Sequence, residues 1–265
     1  MPTKFVNGVN IYYEIHGKGE PLALFMGLGG NIALWDVELI EAFGRKFQVI
    51  IFDNRGTGRS DKPDEQYTIE LFADDSAALL GALGIESAFI LGASMGGMTA
   101  QEFALKYPSM CRKLILCCTL AGGDSIVPPT AEAFAILASV KDLSPEEGNR
   151  AMRPAAFTKQ FIEAHWDWLE RKLKREIEYP TPPYAFERHL HAAMTFNAYD
   201  RLPRISCPTL VMTGIEDILI PAKNSEILAG RIPGAELILF ENSAHGFMTE
   251  RLDDTVSAIF DFIGR

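Results

Sequence analysis

The chain has 265 residues, of which 48% are hydrophobic and 23% charged, enough for one large globular domain or a domain with an insertion. Its formal net charge of −10 disfavours nucleic acids and anionic membranes as partners, because both attract basic surfaces. The segment Met1–Phe5 lacks the apolar core of a signal peptide, and no uninterrupted apolar run approaches the ~18 residues of a membrane span. We therefore expect a soluble cytoplasmic protein.

The first half of the chain alternates predicted strands with predicted helices. Strands are predicted at 4–6, 11–15, 22–25, 49–52, 88–91 and 113–118. The first two flank Asn7-Gly8, a favoured hairpin turn, and the others are continuous apolar runs typical of buried strands. Helices are predicted from Trp35 to a stop at Gly44, at 69–83 and at 95–106. This alternation indicates an α/β fold with a mostly parallel central sheet, flanked by helices and edged by short antiparallel strands.

The pattern changes near residue 128 and resumes near residue 208. Helical segments without a convincing strand are predicted at 130–140, 144–152, 158–177 and 183–197. Strands return at 208–212 and 236–240, with a helix between them and a last helix at 255–263. The sequence thus predicts a core at 1–124 and 201–265, and a helical insertion at 125–200, before the penultimate core strand.

The stretch from Phe89 to Gly97 contains the motif Gly-x-Ser-x-Gly, with Ser94 at its centre. An apolar strand leads into it and a helix-compatible segment follows, which is typical of a nucleophile elbow. Gly92 and Gly96 leave room where side chains would collide with the backbone in such a sharp turn. Ser94 is therefore the candidate nucleophile.

A serine hydroxyl needs a general base, and the base needs an acid to orient it. Of the five histidines, only His245 lies in a loop directly after a predicted core strand in the last third of the chain. Loops that follow parallel strands gather at one edge of the sheet, so His245 is the predicted base. Asp217, after the penultimate strand, is the predicted acid; Asp124 is the alternative position, and Glu216 is interpreted as a solvated neighbour.

The developing oxyanion of such a reaction needs fixed hydrogen-bond donors. The backbone N–H of Met95, directly after the nucleophile, is the first predicted donor. The glycine-rich loop from Met26 to Gly30 is expected to supply the second, with Leu28 N–H as the best candidate.

These motifs together resemble the α/β-hydrolase fold superfamily, over nearly the full length of the chain. The resemblance rests on the 26–30 loop, the 53–60 segment with its arginine and glycines, the elbow, and the loops at 214–217 and 244–246. The chain order Ser94, Asp217, His245 is the order of that superfamily. The arginine-glycine loop at 55–58 resembles a structural signature of the family, and no catalytic part is assigned to it.

The resemblance also implies a cap domain for the helical insertion, and is strongest to small microbial esterases and 3-oxoadipate enol-lactonase-like enzymes. Many relatives have His-Gly where this chain has Met26-Gly27, which leaves the mechanism intact but weakens transfer from any one subfamily. A serine at position 94 argues against the haloalkane dehalogenase and epoxide hydrolase branches, which have an aspartate there.

The predicted function is hydrolysis of a carboxylic ester or lactone of small to medium, partly apolar substrates through an acyl-enzyme. Carbon–carbon bond hydrolysis, cofactor-free perhydrolysis and a weakly catalytic small-molecule receptor stay open as alternatives. Candidate substrate contacts are Gly27, Phe134, Leu137, Trp166, Phe196 and Leu219.

No cofactor is expected, because the Gly-x-Gly pairs lack the third glycine of a dinucleotide fingerprint and no Walker-type Gly-Lys-Ser/Thr occurs. No cluster of residues has metal-site spacing, and the four cysteines are interpreted as reduced core residues. A homo-oligomer is possible.

Overall fold

The computed structural model describes residues 2–140 and 143–265. Its strands form one eight-stranded sheet in the order β1-β2-β4-β3-β5-β6-β7-β8. They are β1 (Thr3–Val6), β2 (Val9–His16), β3 (Glu20–Phe25), β4 (Phe47–Phe52), β5 (Ala88–Ala93), β6 (Cys111–Cys117), β7 (Thr209–Gly214) and β8 (Glu236–Phe240). β2 pairs antiparallel with both β1 and β4. All the other pairings in this sheet are parallel. The predicted α/β class and mostly parallel sheet are confirmed.

The helices alternate with the strands of the core and fill the insertion between β6 and β7. They are α1 (Val37–Gly44), α2 (Ile69–Ala82), α3 (Met95–Lys106), α4 (Ala131–Ser139), α5 (Pro145–Ala156), α6 (Lys159–Ala164), α7 (Trp166–Glu176), α8 (Pro183–Thr195), α9 (Lys223–Arg231), α10 (Phe247–Glu250) and α11 (Leu252–Gly264). Within the described ranges, no helix combines the length and apolar character of a membrane crossing.

The central strands are buried on both faces, which explains their continuous apolar sequences. Along β5, Ala88 and Ile90 join one core cluster with α2, α3 and α9, whereas Phe89 and Leu91 join the other with α1 and α11. This alternation follows from the two-residue period of a strand. The sheet is therefore enclosed by two layers of helices, and the loops at its edges are the segments that can present functional side chains.

The insertion comprises α4 to α8 and is joined to the core at a narrow neck. There, Ala198 N–H donates to the Ala121 carbonyl over 2.8 Å, and Gly122 forms a bridge with Asn197. The neck lies close to the predicted boundaries at 124/125 and 200/201, which stay predictions; Lys141 and Asp142 of the predicted cap lie outside the described residues. The insertion is called the cap below.

Some predicted helices differ from the structure. The segment predicted as one helix at 158–177 is two helices, α6 and α7, because His165 takes a non-helical ψ of 24° between them. The helix predicted to end at Met152 continues through Pro154 to Ala156. Trp35 precedes α1 rather than lying in it.

Candidate active site

Ser94 lies between β5 and α3 in a backbone conformation that residues other than glycine rarely adopt, with φ 56° and ψ −122°. Such strain persists only where the surroundings enforce it. A Cβ on Gly96 would lie 2.0 Å from the Phe25 carbonyl oxygen, and one on Gly92 would lie 2.3 Å from the Gly96 carbonyl oxygen. The turn at Ser94 therefore exists in this tight form because both flanking positions are glycine.

The backbone of Ser94 is fixed by the neighbouring strand β6. Its N–H donates to the Cys117 carbonyl over 2.9 Å, and its carbonyl accepts from the Thr119 hydroxyl over 2.7 Å. Thr119 also packs against Gly97, where an added Cβ would be 2.5 Å from the threonine Cβ. Sequence reasoning missed Thr119; the signal available was its position directly beyond β6, at the same sheet edge as Ser94.

Asp217 and His245 form an ion pair in loops after β7 and β8. The Nδ1 atom of His245 lies 2.7 Å from Oδ2 of Asp217. The other carboxylate oxygen of Asp217 accepts from Leu219 N–H at 2.9 Å and Ile220 N–H at 2.8 Å. Both oxygens of this buried carboxylate therefore have partners, and the imidazole is oriented by a fixed acceptor.

The electrostatic environment of His245 favours the protonated imidazole. Burial is the largest single influence and opposes the charge, but the Asp217 carboxylate and the neighbouring Cys118 together outweigh it and hold the pKa of His245 well above its usual value near 6.5. Cys118 follows β6, between Ser94 and Asp217 in the strand order, and has a φ of 41°. Sequence reasoning treated Cys118 only as a core residue.

The strand order brings the predicted site residues to one sheet edge. Ser94, Cys118, Asp217 and His245 follow β5, β6, β7 and β8, which are consecutive neighbours in the sheet. The other two acids near this edge, Glu216 and Asp124, are exposed, whereas Asp217 is buried.

The other four histidines have different surroundings. His16 bonds to Glu14, the exposed His165 stacks on Phe161, and His191 is exposed on the cap. His189 is fully buried, with Nε2 2.8 Å from the Arg55 carbonyl oxygen, and burial lowers its pKa to about 4. His189 therefore joins cap helix α8 to the core.

The predicted oxyanion donors lie beside Ser94. Met95 is the first residue of α3, so its N–H has no carbonyl partner one turn earlier in the helix. A Cβ on Gly27 would be 3.1 Å from the Ser94 Cβ and 3.6 Å from its Oγ, which places this loop against the nucleophile. Gly30 N–H closes a turn onto the Gly27 carbonyl, and Leu28 follows Gly27 in that turn, where the closing bond does not use its N–H.

The 53–60 segment supports the glycine-rich loop. The buried Asp53 carboxylate accepts from the N–H groups of Ile32 and Arg59, each at 2.7 Å. Burial raises the pKa of Asp53, while these bonds lower it. Asn54 donates to the Met26 carbonyl over 3.3 Å. Asn54 thus binds the start of the Met26–Gly30 loop, and Asp53 binds the chain two residues beyond the end of that loop.

The predicted substrate contacts fall into two groups. Gly27 and Leu219 lie beside Ser94 and Asp217, as given above. Phe134 and Leu137 are exposed on α4, Trp166 is half exposed and packs on Arg153, and Phe196 is buried at the neck. The structure does not bring these cap residues together as one cluster.

In the part of the chain that the structure describes, no group of three or more His, Cys, Asp and Glu side chains is placed to hold a metal ion. The groups that the structure places at this sheet edge are a strained serine, an imidazole oriented by a carboxylate, and backbone N–H donors.

Comparison with known proteins gives one consistent family. The sequence profile of the α/β hydrolase fold matches residues 20–252. A proposed carbamate hydrolase, RutD of Azorhizobium caulinodans, is 30% identical over 266 residues, covering 100% of this chain and 98% of its own length.

Solved structures show the same relationship. The enol-lactonase of Burkholderia xenovorans superposes with a TM-score of 0.87 at 26% identity and full coverage of both chains. A thermophilic esterase of Thermogutta terrifontis superposes with a TM-score of 0.82 at 28% identity, covering 98% of this chain and 96% of its own. The chain belongs to the α/β-hydrolase fold family.

Proposed function

We propose that this protein is a serine hydrolase that cleaves carboxylic esters or lactones through an acyl-enzyme. The observation that carries the proposal is the 2.7 Å contact of His245 with Asp217, at the sheet edge where Ser94 sits on a strained elbow. The family supports a hydrolase, and the names of two structural relatives, an enol-lactonase and an esterase, favour ester and lactone substrates.

In the proposed reaction, the Ser94 hydroxyl attacks the substrate carbonyl and gives its proton to Nε2 of His245. Asp217 holds the opposite nitrogen, Nδ1, and stabilises the imidazolium that forms. The N–H groups of Met95 and Leu28 bind the oxyanion. Collapse of the tetrahedral intermediate returns the proton to the leaving alcohol.

Water then attacks the acyl-enzyme, with His245 again as the base, and releases the acid. In a lactone the leaving alcohol stays attached to the acyl chain, so a single product carries both new groups. No step requires a metal or an organic cofactor in this scheme.

Ser94→Ala tests the proposal. With p-nitrophenyl butyrate as substrate, we expect this variant to lose turnover by at least ~1000-fold, because the covalent route requires the hydroxyl. Its thermal unfolding should stay close to that of the wild type, since the bonds that fix Ser94, to Cys117 and from Thr119, use its backbone, which alanine keeps. Full turnover by Ser94→Ala would overturn the assignment.

A carbamate is the second candidate substrate class, favoured by the name of the 30% identical relative. It presents the same type of carbonyl to Ser94, so the mechanism is unchanged up to the leaving group. We therefore propose a panel of esters, lactones and carbamates of graded chain length, compared by kcat/KM.

Two additional assays, run beside this panel, separate the remaining alternatives. A vinylogous diketone tests carbon–carbon hydrolysis, and acetate with peroxide tests perhydrolysis. A receptor would show at most stoichiometric reaction with every member, whereas a hydrolase shows many turnovers with at least one.

A further inference from the structure

The short helix α10 begins two residues after His245 and ends in Glu250, whose carboxylate is shared between the cap and the core. Oε1 accepts from both the N–H and the hydroxyl of Thr158, each at 2.7 Å. Oε2 accepts from Ala244 N–H over 2.6 Å. One side chain therefore binds the start of cap helix α6 and the residue next to the candidate base.

The other neighbour of His245 is also held by the cap. Gly246 N–H donates to the Ala156 carbonyl, at the end of α5, over 2.6 Å. A Cβ on Gly246 would lie 2.4 Å from the Phe157 ring, so this ring packs directly on the loop backbone. Ala244, before His245, is thus linked through Glu250 to the α5–α6 corner of the cap. Gly246, after His245, is bonded to that corner directly.

Helix α10 has a second connection to the cap. The Thr249 hydroxyl donates to the Asp36 carboxylate, which also pairs with Lys172 of α7. Asp36 and Lys172 are both buried. Movement of the cap would therefore pull on α10 at two consecutive residues, Thr249 and Glu250.

We propose that Glu250 is a positioning residue: its carboxylate makes the alignment of His245 with Asp217 depend on the docking of the α5–α6 corner. This inference rests on the proposed function, because it takes His245 to be the catalytic base. Charge-assisted bonds from a carboxylate to backbone N–H groups are the strong class of hydrogen bond. Removing them releases Ala244 from the α5–α6 corner, so the backbone on that side of His245 loses a restraint and the imidazole is held less firmly in its direction.

The test is Glu250→Gln, assayed with p-nitrophenyl butyrate. A glutamine has one acceptor oxygen, so it satisfies either Thr158 or Ala244 but not both. We expect kcat to fall by roughly 10- to 100-fold with KM changed by less than about threefold, since misplacing a catalytic group by about 1 Å has effects of this size. The rate at which a fluorophosphonate labels Ser94 should fall in parallel, because that attack also needs the base.

Two further variants serve as controls. Glu241→Gln removes the same charge from an exposed residue of the loop that carries His245, and we expect wild-type kcat. Glu250→Asp keeps two acceptor oxygens but is one methylene shorter, so it should retain more of kcat than Glu250→Gln.

If Glu250→Gln does not fold, the pair Thr158→Val and Thr158→Ser replaces it. The valine variant loses the hydroxyl bond to Glu250 and should lose kcat relative to the serine variant, which keeps it. Equal kcat in these two folded variants would contradict the coupling.

A purely structural role predicts a lower melting temperature for Glu250→Gln with unchanged kcat and labelling rate, and that result would overturn the inference. Ser94→Ala in the same assay separates the two levels. If Ser94→Ala is inactive while Glu250→Gln keeps full kcat, only the positioning role fails. If Ser94→Ala is active, the proposed function fails as well.

Discussion

Nδ1 of His245 lies 2.7 Å from Oδ2 of Asp217, although the two residues are 28 positions apart and follow different strands. The contact forms because β7 and β8 are parallel neighbours whose carboxyl ends meet at the same edge. Gly214 allows it: a Cβ there would lie 2.3 Å from the Ser243 carbonyl oxygen, so the two loops approach closely only without a side chain.

Asp217→Asn should lower kcat/KM for an ester by about 10³- to 10⁴-fold, because the amide neither fixes the imidazole in the required tautomer nor stabilises the imidazolium. The check is steady-state kinetics with p-nitrophenyl butyrate. Glu216→Gln, one residue earlier and exposed, is the matched control with wild-type kinetics expected. Comparable losses in both variants would contradict the assignment of the acid.

The pH dependence of kcat/KM follows from His245. Its pKa is raised above 6.5, so the neutral base forms only as the pH rises through that higher value. We expect activity to increase with pH along a limb centred above 6.5. In Asp217→Asn, the residual activity should show this limb at lower pH, because the carboxylate that favours the imidazolium is gone. An unchanged limb in the variant would argue against the pairing.

The stability of the fold should fall in mild acid because of His189. Burial lowers its pKa to about 4, so below the unfolded value of 6.5 the unfolded chain binds a proton that the folded chain refuses. From these two values we expect His189 to contribute a loss of about 2 kcal/mol in unfolding free energy between pH 7 and pH 5.

Urea unfolding at the two pH values measures this loss. His189→Phe should show a smaller loss between pH 7 and pH 5, whereas His191→Phe, at an exposed cap position two residues later, should keep the full loss. An identical pH dependence in both variants would exclude His189 as the cause.

Two glycine substitutions should have opposite effects on stability. Gly96→Ala places a Cβ 2.0 Å from the Phe25 carbonyl oxygen, so we expect a loss of at least about 2 kcal/mol together with loss of activity. Gly81→Ala lies in α2 with nothing within 4 Å of the added Cβ, and should stabilise by roughly 0.5–1 kcal/mol with activity unchanged. Thermal unfolding of both variants decides; a stable, active Gly96→Ala would contradict the geometry of the elbow.

Local patterns in the sequence were sufficient for the fold. The apolar runs that became β3 to β7 and the glycine pair around Ser94 are determined by neighbours in the chain, and their placement follows from the parallel-sheet rule. The break at His165 was not predictable in this way, because neither glycine nor proline lies between α6 and α7 to mark it in the sequence.

The supporting residues of the site were also beyond local patterns. Thr119, Asp53 and Glu250 act through bonds to backbone groups 25, 21 and 92 positions away, as to Ser94, Ile32 and Thr158. A backbone N–H or carbonyl leaves no mark on the sequence, so such partners appear only once the chain is folded. Which cap residues contact the substrate likewise depends on how the cap packs on the core, which local sequence patterns do not determine.

The most direct measurement is fluorophosphonate titration of the wild-type protein, followed by peptide mass spectrometry and ester turnover on the same samples. We expect one adduct per chain, located on Ser94, with turnover of p-nitrophenyl butyrate lost in proportion to labelling. An adduct on another residue, or full turnover after Ser94 is labelled, would contradict this expectation.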